Sequence, residues 1–303
     1  MTALARLPTP LHPLPRLSEI LGIELWVKRD DLTGFGLSGN KVRKLEYLFA
    51  EAESMGADTV LTTGGIQSNH CRATAVAARQ RGLRPVLLLR GEDPGIPDGN
   101  LLLDSLLGAE VHWCTPDAYR HRRDALLAEL AAGVKAAGGV PYIIPEGGSN
   151  AVGSRGYLQA VDELDMDFDH LFVAVGSGGT LAGLAMSAVA GRVHGIAVCD
   201  DAATFEARVR SIALEAGRPT PANWWVDDRY RGPAYGVATP EIWDDIRLVA
   251  RTEGLLLDPC YTGKAMHALC EQARAGQIAG RVLFWHTGGA FGLFGRGAEV
   301  LAP

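Results

Sequence analysis

The residues best suited to chemistry lie in "GLSGNKVRKLEYL", 36–48, where a loop of small residues runs into Lys41 and Lys44. Lysine is scarce in this chain. Only Lys28, Lys41, Lys44, Lys135 and Lys264 occur, and arginine supplies the other 24 of the 29 basic residues. An amine can lose its proton and attack a carbonyl, which a guanidinium does not do. Its ordinary pKa of about 10.4 must first be lowered by burial or by nearby positive charge. Lys41 follows Gly39-Asn40, as a residue projected from a loop into a cleft would. Lys44, one helical turn later and beside Glu46, reads as a surface charge. Residue type and spacing alone leave Lys41 open between a nucleophile and another surface charge.

Two further junctions carry polar chemistry. In "VGSGGTLAG", 175–183, glycines follow an apolar run and open a helix of small residues. Converging backbone N–H groups at a helix start suit an anion, above all a phosphate, although a tight turn without ligand fits too. Leu181 stands where a dinucleotide fingerprint needs its third glycine, and no Lys-Ser or Lys-Thr pair follows as a Walker loop requires. In "TTGGIQSNH", 62–70, Ser68 and Asn69 are good helix caps. With Gln67 they also form a plausible cradle for a substrate carboxylate or a cofactor hydroxyl. Here too the capping role suffices by itself, and His70 reads equally well as a solvent-facing helix residue.

These loops need a frame. Short β-rich runs recur at 24–28, 58–63, 85–90, 110–113, 141–145, 170–175, 195–199 and 281–286, with helical patterns between most of them. That alternation predicts an α/β protein with mostly parallel sheets covered by helices on both faces. In such folds ligands bind beyond the carboxyl ends of the strands, which is where the glycine-rich junctions fall. Two others are "PEGGSNAVGSRG", 145–156, and "WHTGGAFG", 285–292.

Bulk properties narrow the partners. The 303 residues carry a net charge of −6, which argues against non-specific nucleic-acid binding. Five cysteines, Cys71, Cys114, Cys199, Cys260 and Cys270, form no C-x-x-C pair, so neither a disulfide framework nor a metal site is expected. Prolines interrupt the N-terminal "MTALARLPTPLHPLPRL", and no apolar run reaches the roughly 18 residues of a membrane span. A soluble, cytoplasmic protein is the expectation.

Taken together, "RDDLTGFGLSGNKVRKLEYL", "GGIQSNHCR", "VGSGGTLAGL", "YGV" at 235–237, "LDPCYTGKAM" and "HTGG" resemble, in this order, the D-cysteine desulfhydrase / 1-aminocyclopropane-1-carboxylate deaminase family. The resemblance runs from about residue 8 to about residue 295. It implies two open, twisted, mostly parallel sheets of the tryptophan-synthase β-subunit kind (fold type II) and pyridoxal 5′-phosphate as cofactor. It further implies a larger cofactor domain from 1–45 plus 155–303, a smaller α/β domain from 46–154, and a homodimer. Lys41 matches the Schiff-base lysine, Asn69 the partner of the pyridine 3′-oxygen, and Ser68 the residue that contacts the substrate carboxylate or handles its protons. Gln67 lies beside them. Ser177, Gly178, Gly179 and Thr180 match the phosphate cup. Tyr235 and Tyr261 match two active-site tyrosines, one near the cofactor ring and one near the substrate, and Thr287 is the candidate partner of the ring nitrogen.

The chain departs from the deaminase branch where "YTGKA" replaces "YEGKS", putting Thr262 in place of a glutamate. A hydroxyl at the ring nitrogen makes a weaker electron sink than a carboxylate, enough when a good leaving group sits on Cβ. The expected reaction is α,β-elimination, with D-cysteine giving pyruvate, sulfide and ammonia. Aminocyclopropane carboxylate, cysteate, a β-replacement synthase and a non-catalytic binding protein are the alternatives. Ser38, Cys71 and an apparent trimming after "GIAVCDDAATFEARVR" are further departures that could reshape the pocket.

Overall fold

The computed structural model describes residues 3–187, 189 and 191–300. Its strands are β1 Leu11–Pro13, β2 Glu24–Arg29, β3 Thr59–Gly65, β4 Arg84–Arg90, β5 Glu110–Cys114, β6 Pro141–Ile143, β7 His170–Val175, β8 Arg192–Ala197, β9 Trp224–Asp227 and β10 Arg281–His286. Its main helices are α1 Pro15–Leu21, α2 Lys41–Ser54, α3 Asn69–Gln80, α4 Gly99–Leu106, α5 Pro116–Ala136, α6 Ala151–Ala160, α7 Gly179–Ala185, α8 Ala202–Glu215, α9 Pro240–Glu253 and α10 Thr262–Arg274. Two open sheets result, ordered β1-β2-β10-β7-β8-β9 and β5-β4-β3-β6. All neighbours run parallel except β1 with β2.

Strand periodicity explains how each sheet buries both faces. Along β7, Phe172 and Ala174 enter the core formed with α1, α9 and α10. Their neighbours Leu171, Val173 and Val175 enter the core formed with α6, α7 and α8. Successive side chains of a strand point to opposite faces, so an unbroken apolar run marks a doubly covered strand. Each such side chain contributes roughly 1.5–3 kcal/mol when fully buried. The smaller sheet is likewise packed by α2 and α3 on one side and by α5 on the other.

Differences from the sequence reading have local causes. Edge strand β1 contains Pro13, which a two-sided strand could not accommodate. At the other edge, β9 has only four residues. The strand expected at 195–199 begins earlier, because His194 behaves as a core residue: it is 3% exposed and stacks on Phe172 with ring centroids 4.1 Å apart. Leu37, Val42 and Leu45 pack beneath the smaller sheet, and α2 runs from 41 to 54 across the position expected for the domain boundary. Among the described residues, no helix is long and apolar enough to cross a membrane.

Candidate active site

Strand order places the site. β2, β10 and β7 are adjacent and parallel, so the loops leaving their carboxyl ends meet on one side of the larger sheet. Backbone packing brings two of them together: Asn40 N–H donates to Thr287 O at 3.0 Å. A Cβ on Gly39 (φ +110°) would lie 2.8 Å from Thr287 O, and one on Gly288 (φ +84°) 2.6 Å from Gly39 Cα. Only glycine at both positions permits this approach. The cleft so formed is lined by Asn40, Lys41, Asn69, Gly176, Ser177, Gly178, Thr180, Tyr261 and Thr287.

One end of the cleft is built for an anion. The N–H groups of Ser177 and Gly178 have no acceptor among the described residues. Thr180 Oγ1 accepts from Asn40 Nδ2 at 3.0 Å and keeps its own proton for another partner. Ser177 Oγ lies 2.8 Å from Ser149 Oγ, which also accepts the Gly179 N–H at 3.1 Å. Because α7 has only seven residues, the converging loop donors matter more here than a helix dipole.

Lys44 corrects the sequence reading. It is 1% exposed, and its amine donates only to Ser149 Oγ, at 3.3 Å. Burial, then the nearby Lys41, push its pKa well below 10.5. A second buried amine thus stands behind Ser149, whose hydroxyl meets the glycine loop. Its spacing of three residues from Lys41 puts both on one helix face, a signal that the surface reading passed over.

Lysine scarcity now has a structural meaning. Lys28 is buried and pairs with Glu163 Oε2 at 2.6 Å, and Lys264 donates to the carbonyls of Val198, Arg231 and Ala234. The half-buried Lys41 lines the cleft, and its amine has no hydrogen-bond or ion-pair partner among the described residues. Burial lowers its pKa from 10.5 to about 8, against the opposing pull of Glu146, Cys260 and Asp258. It is the amine of the five that is both accessible from the cleft and readily deprotonated.

Tyr235 and Tyr261 meet at the cleft wall, with hydroxyl oxygens 2.7 Å apart. Burial raises both pKa values well above 10, so each is a neutral phenol able to donate a proton. Asp258 shapes the turn beneath Tyr261 by accepting the N–H groups of Cys260, Tyr261 and Thr262. Thr262 lies inside that turn: its Oγ1 donates to Asp258 Oδ1 at 2.6 Å and accepts from Asp258 N at 2.8 Å. Fully buried and committed, it lines no part of the cleft, whereas Thr287 does.

A wider chamber opens outward from Lys41 and Tyr261, bounded by Ser68, His70, Arg90, Tyr119, Glu146 and Tyr235 among others. Ser68 Oγ accepts the Cys71 N–H at 3.2 Å and retains its proton. Asn69 Oδ1 accepts from Asn100 Nδ2 at 3.1 Å. Gln67, expected in the substrate cradle, instead bonds Asp98 and Asn100 and lines neither the cleft nor the chamber. His70 is buried, 3% exposed, against the solvent-facing reading. Burial and the two lysines hold it neutral. Thr62 Oγ1 donates to Ile144 O, so His70 Nε2 must donate to Thr62, leaving Nδ1 as acceptor. Tyr119, donating to Glu146 Oε1 at 2.6 Å, escaped notice because nothing in its local sequence distinguishes it. Ser38 and Cys71 do not reach the cavity: Ser38 donates to Asp31 O, and Cys71 packs against Leu87, Leu89 and Leu101.

In sequence and fold the chain is similar to known proteins. A family model described as "Pyridoxal-phosphate dependent enzyme" matches residues 2–288. The chain belongs to the pyridoxal-phosphate-dependent enzymes. It is 43% identical to the mitochondrial bifunctional D-cysteine desulfhydrase/1-aminocyclopropane-1-carboxylate deaminase of Arabidopsis thaliana, over 96% of this chain and 79% of that one. It is 44% identical to a putative 1-aminocyclopropane-1-carboxylate deaminase of Thermotoga maritima, over 97% of each. A crystal structure of an ACC deaminase homologue superposes with a TM-score of 0.91 at 39% identity, covering 99% of this chain and 95% of the other. The fold is therefore that of fold type II pyridoxal-phosphate enzymes, and the chain is a pyridoxal-phosphate-dependent lyase of the deaminase/desulfhydrase family.

The residues in the cleft fit that cofactor: a glycine loop with free N–H groups and two hydroxyls for a phosphate, and an unpartnered amine for an aldehyde. A Cβ on Gly179 would lie 2.5 Å from Ser149 Oγ and 2.9 Å from Ser149 Cα. Gly179→Ala is expected to displace the loop and cost one or two charged hydrogen bonds. Cofactor affinity should fall by ~10–100-fold in an absorbance titration.

Proposed function

We propose that the chain carries out α,β-elimination on a cysteine-like amino acid, D-cysteine foremost, releasing pyruvate, sulfide and ammonia. The observation that carries this reading is Lys41, an unpartnered amine titrating near about 8 beside a vacant-donor loop. Pyridoxal phosphate, when bound, supplies a carbonyl with which amines condense and a ring that withdraws electrons from the substrate Cα. Ser177, Gly178, Gly179 and Thr180 would hold its phosphate, Asn69 its ring oxygen and Thr287 its ring nitrogen.

The chain's residues then divide the remaining work. Ser68, with its free hydroxyl proton, binds the substrate carboxylate at the start of α3. Lys41 takes the Cα proton as its neutral amine, and the Tyr235–Tyr261 pair delivers a proton toward the Cβ leaving group. Which of Lys41 and Ser68 serves which face of the cofactor decides the stereochemistry of the substrate. No Asp or Glu lines the inner cleft among the described residues. A hydroxyl partner for the ring nitrogen supports elimination of a good leaving group over opening of a cyclopropane. The homodimer and the cytoplasmic setting belong to the same reading, the latter supported by five cysteines that are all free.

The names of the relatives favour cyclopropane deamination as a second reading. Supplying D-cysteine, L-cysteine and aminocyclopropane carboxylate to the purified enzyme separates the two. Sulfide and pyruvate from D-cysteine are expected. 2-Oxobutanoate formed from the cyclopropane at a comparable rate would overturn the preference.

A further inference from the structure

The outer chamber holds more positive charge than its acids neutralise. Four arginines line it, together with Glu146 and Asp200. Arg123 Nη1 pairs with Glu146 Oε2 at 2.8 Å and Arg208 Nη2 with Asp200 Oδ2 at 3.1 Å, so both acids are taken. Arg120 is exposed to solvent, which screens it. Arg90 is different. Half-buried at the carboxyl end of β4, it has no carboxylate partner among the described residues.

Arg90 is nevertheless held in place. Its guanidinium carbon lies 5.2 Å from the Tyr119 ring centroid and 5.3 Å from that of Tyr235. Two aromatic faces orient the planar fork without neutralising it. Gly65, its register partner on β3, leaves room beside it: a Cβ there would come within 3.6 Å of Arg90 Nη2 and 3.8 Å of Tyr235 Cε1. The guanidinium therefore stands directly behind the tyrosine that bonds Tyr261, on the side assigned to the leaving group. A cation partly withdrawn from water and without a counter-charge favours an anionic ligand.

We propose that Arg90 is a specificity-determining residue that reads negative charge on the substrate's Cβ substituent. The inference rests on the lyase reading above. In the elimination the Cα proton goes to the base, the Cβ–S bond breaks, and its electron pair leaves with sulfur. Cysteine thereby yields hydrosulfide and cysteate yields sulfite, with no oxidant or reductant required. The sulfonate is charged before and more charged after the step, so it depends most on the guanidinium. Chloride, leaving from β-chloroalanine, starts as a neutral substituent and depends on it least.

The test compares wild type, Arg90→Gln and Arg90→Lys on cysteate, cysteine and β-chloroalanine, each as both enantiomers, with keto acid as readout. Loss of a charged hydrogen bond should lower kcat/KM for cysteate by ~10–100-fold in Arg90→Gln. β-Chloroalanine should stay near wild type, and Arg90→Lys should recover part of the loss. In parallel, holoenzyme is titrated calorimetrically with 3-sulfopropanoate, which carries the sulfonate but no amine and cannot react. It should bind wild type and fail to bind Arg90→Gln. Equal losses on cysteate and β-chloroalanine would assign Arg90 to the α-carboxylate or the scaffold and overturn the proposal, as would unchanged kinetics or unchanged 3-sulfopropanoate binding. If wild type makes keto acid from none of these substrates, the lyase reading itself fails, while the titration still judges Arg90.

Discussion

Lys41→Ala is expected to leave a folded protein that no longer attaches its cofactor covalently. Borohydride treatment should then fix no pyridoxyl group to the chain, whereas wild type should carry one at residue 41. Turnover should fall by at least ~10²–10⁴-fold, the contribution of a positioned general base alone. Stability should change little, because the amine has no partner to lose and its burial opposes its charge. Arg at this position keeps the charge but cannot form the linkage, so Lys41→Arg should be equally inactive. Full turnover in either variant would remove the foundation of the proposed chemistry.

The same lysine sets a pH dependence. Burial lowers its pKa from 10.5 to about 8, so the amine is mostly protonated at pH 7 and mostly free at pH 9. Only the free amine attacks an aldehyde. Stopped-flow addition of pyridoxal phosphate to the cofactor-free chain should therefore show attachment accelerating up to about pH 8 and levelling above it. An inflection near 10.5 would mean that burial does not act on this amine as inferred.

Much of the site was readable because its chemistry lies in local sequence. Lys41 and the loops at 67–69 and 177–180 are contiguous, and a glycine loop after an apolar strand announces its geometry. What stayed hidden depends on contacts between distant segments. Lys44 looks solvated beside Glu46, yet Ser149, more than a hundred residues away, receives its amine, and Glu46 turns to accept the N–H groups of Leu4 and Ala5. Thr262 occupies the motif position of a cofactor contact, but Asp258, four residues earlier, takes its hydroxyl into a turn. Arg90 ends an ordinary apolar strand, and only tertiary packing sets it between Tyr119 and Tyr235. Fold class followed from strand–helix alternation, while the short edge strands β1 and β9 lacked the length to leave a periodic signal.

Asp30→Ala should be the most destabilising substitution near the site, and it separates scaffold from chemistry. Asp30 directly follows β2 and is fully buried. Its carboxylate accepts from Thr9 Oγ1 at 2.9 Å, Arg43 Nη2 at 2.8 Å, Arg43 Nε at 2.9 Å, Trp285 Nε1 at 2.8 Å and the Tyr157 hydroxyl. Its own carbonyl receives the Gly39 N–H at 3.0 Å, two residues before Lys41. One acid thus ties β2, α2, α6 and β10 together under the catalytic loop. Removing it leaves Glu163 as the one carboxylate shared by the buried cations Arg43 and Lys28 and strands several donors, an expected loss of about 3–5 kcal/mol in denaturant unfolding. Burial alone would raise the Asp30 pKa, but Arg43, aided by Tyr157 and Trp285, holds it below 3.8. Its contribution is therefore complete above pH 3.8 and disappears as pH falls through that value toward the lower folded pKa. Adding Arg43→Met to Asp30→Ala should restore part of the stability, since it leaves Glu163 to Lys28 alone; a double variant no more stable than Asp30→Ala would show that the excess buried charge is not the source of the loss. Lys41→Ala and Asp30→Ala should then fail in opposite ways, the first stable and inactive, the second unstable but able to attach cofactor wherever it remains folded.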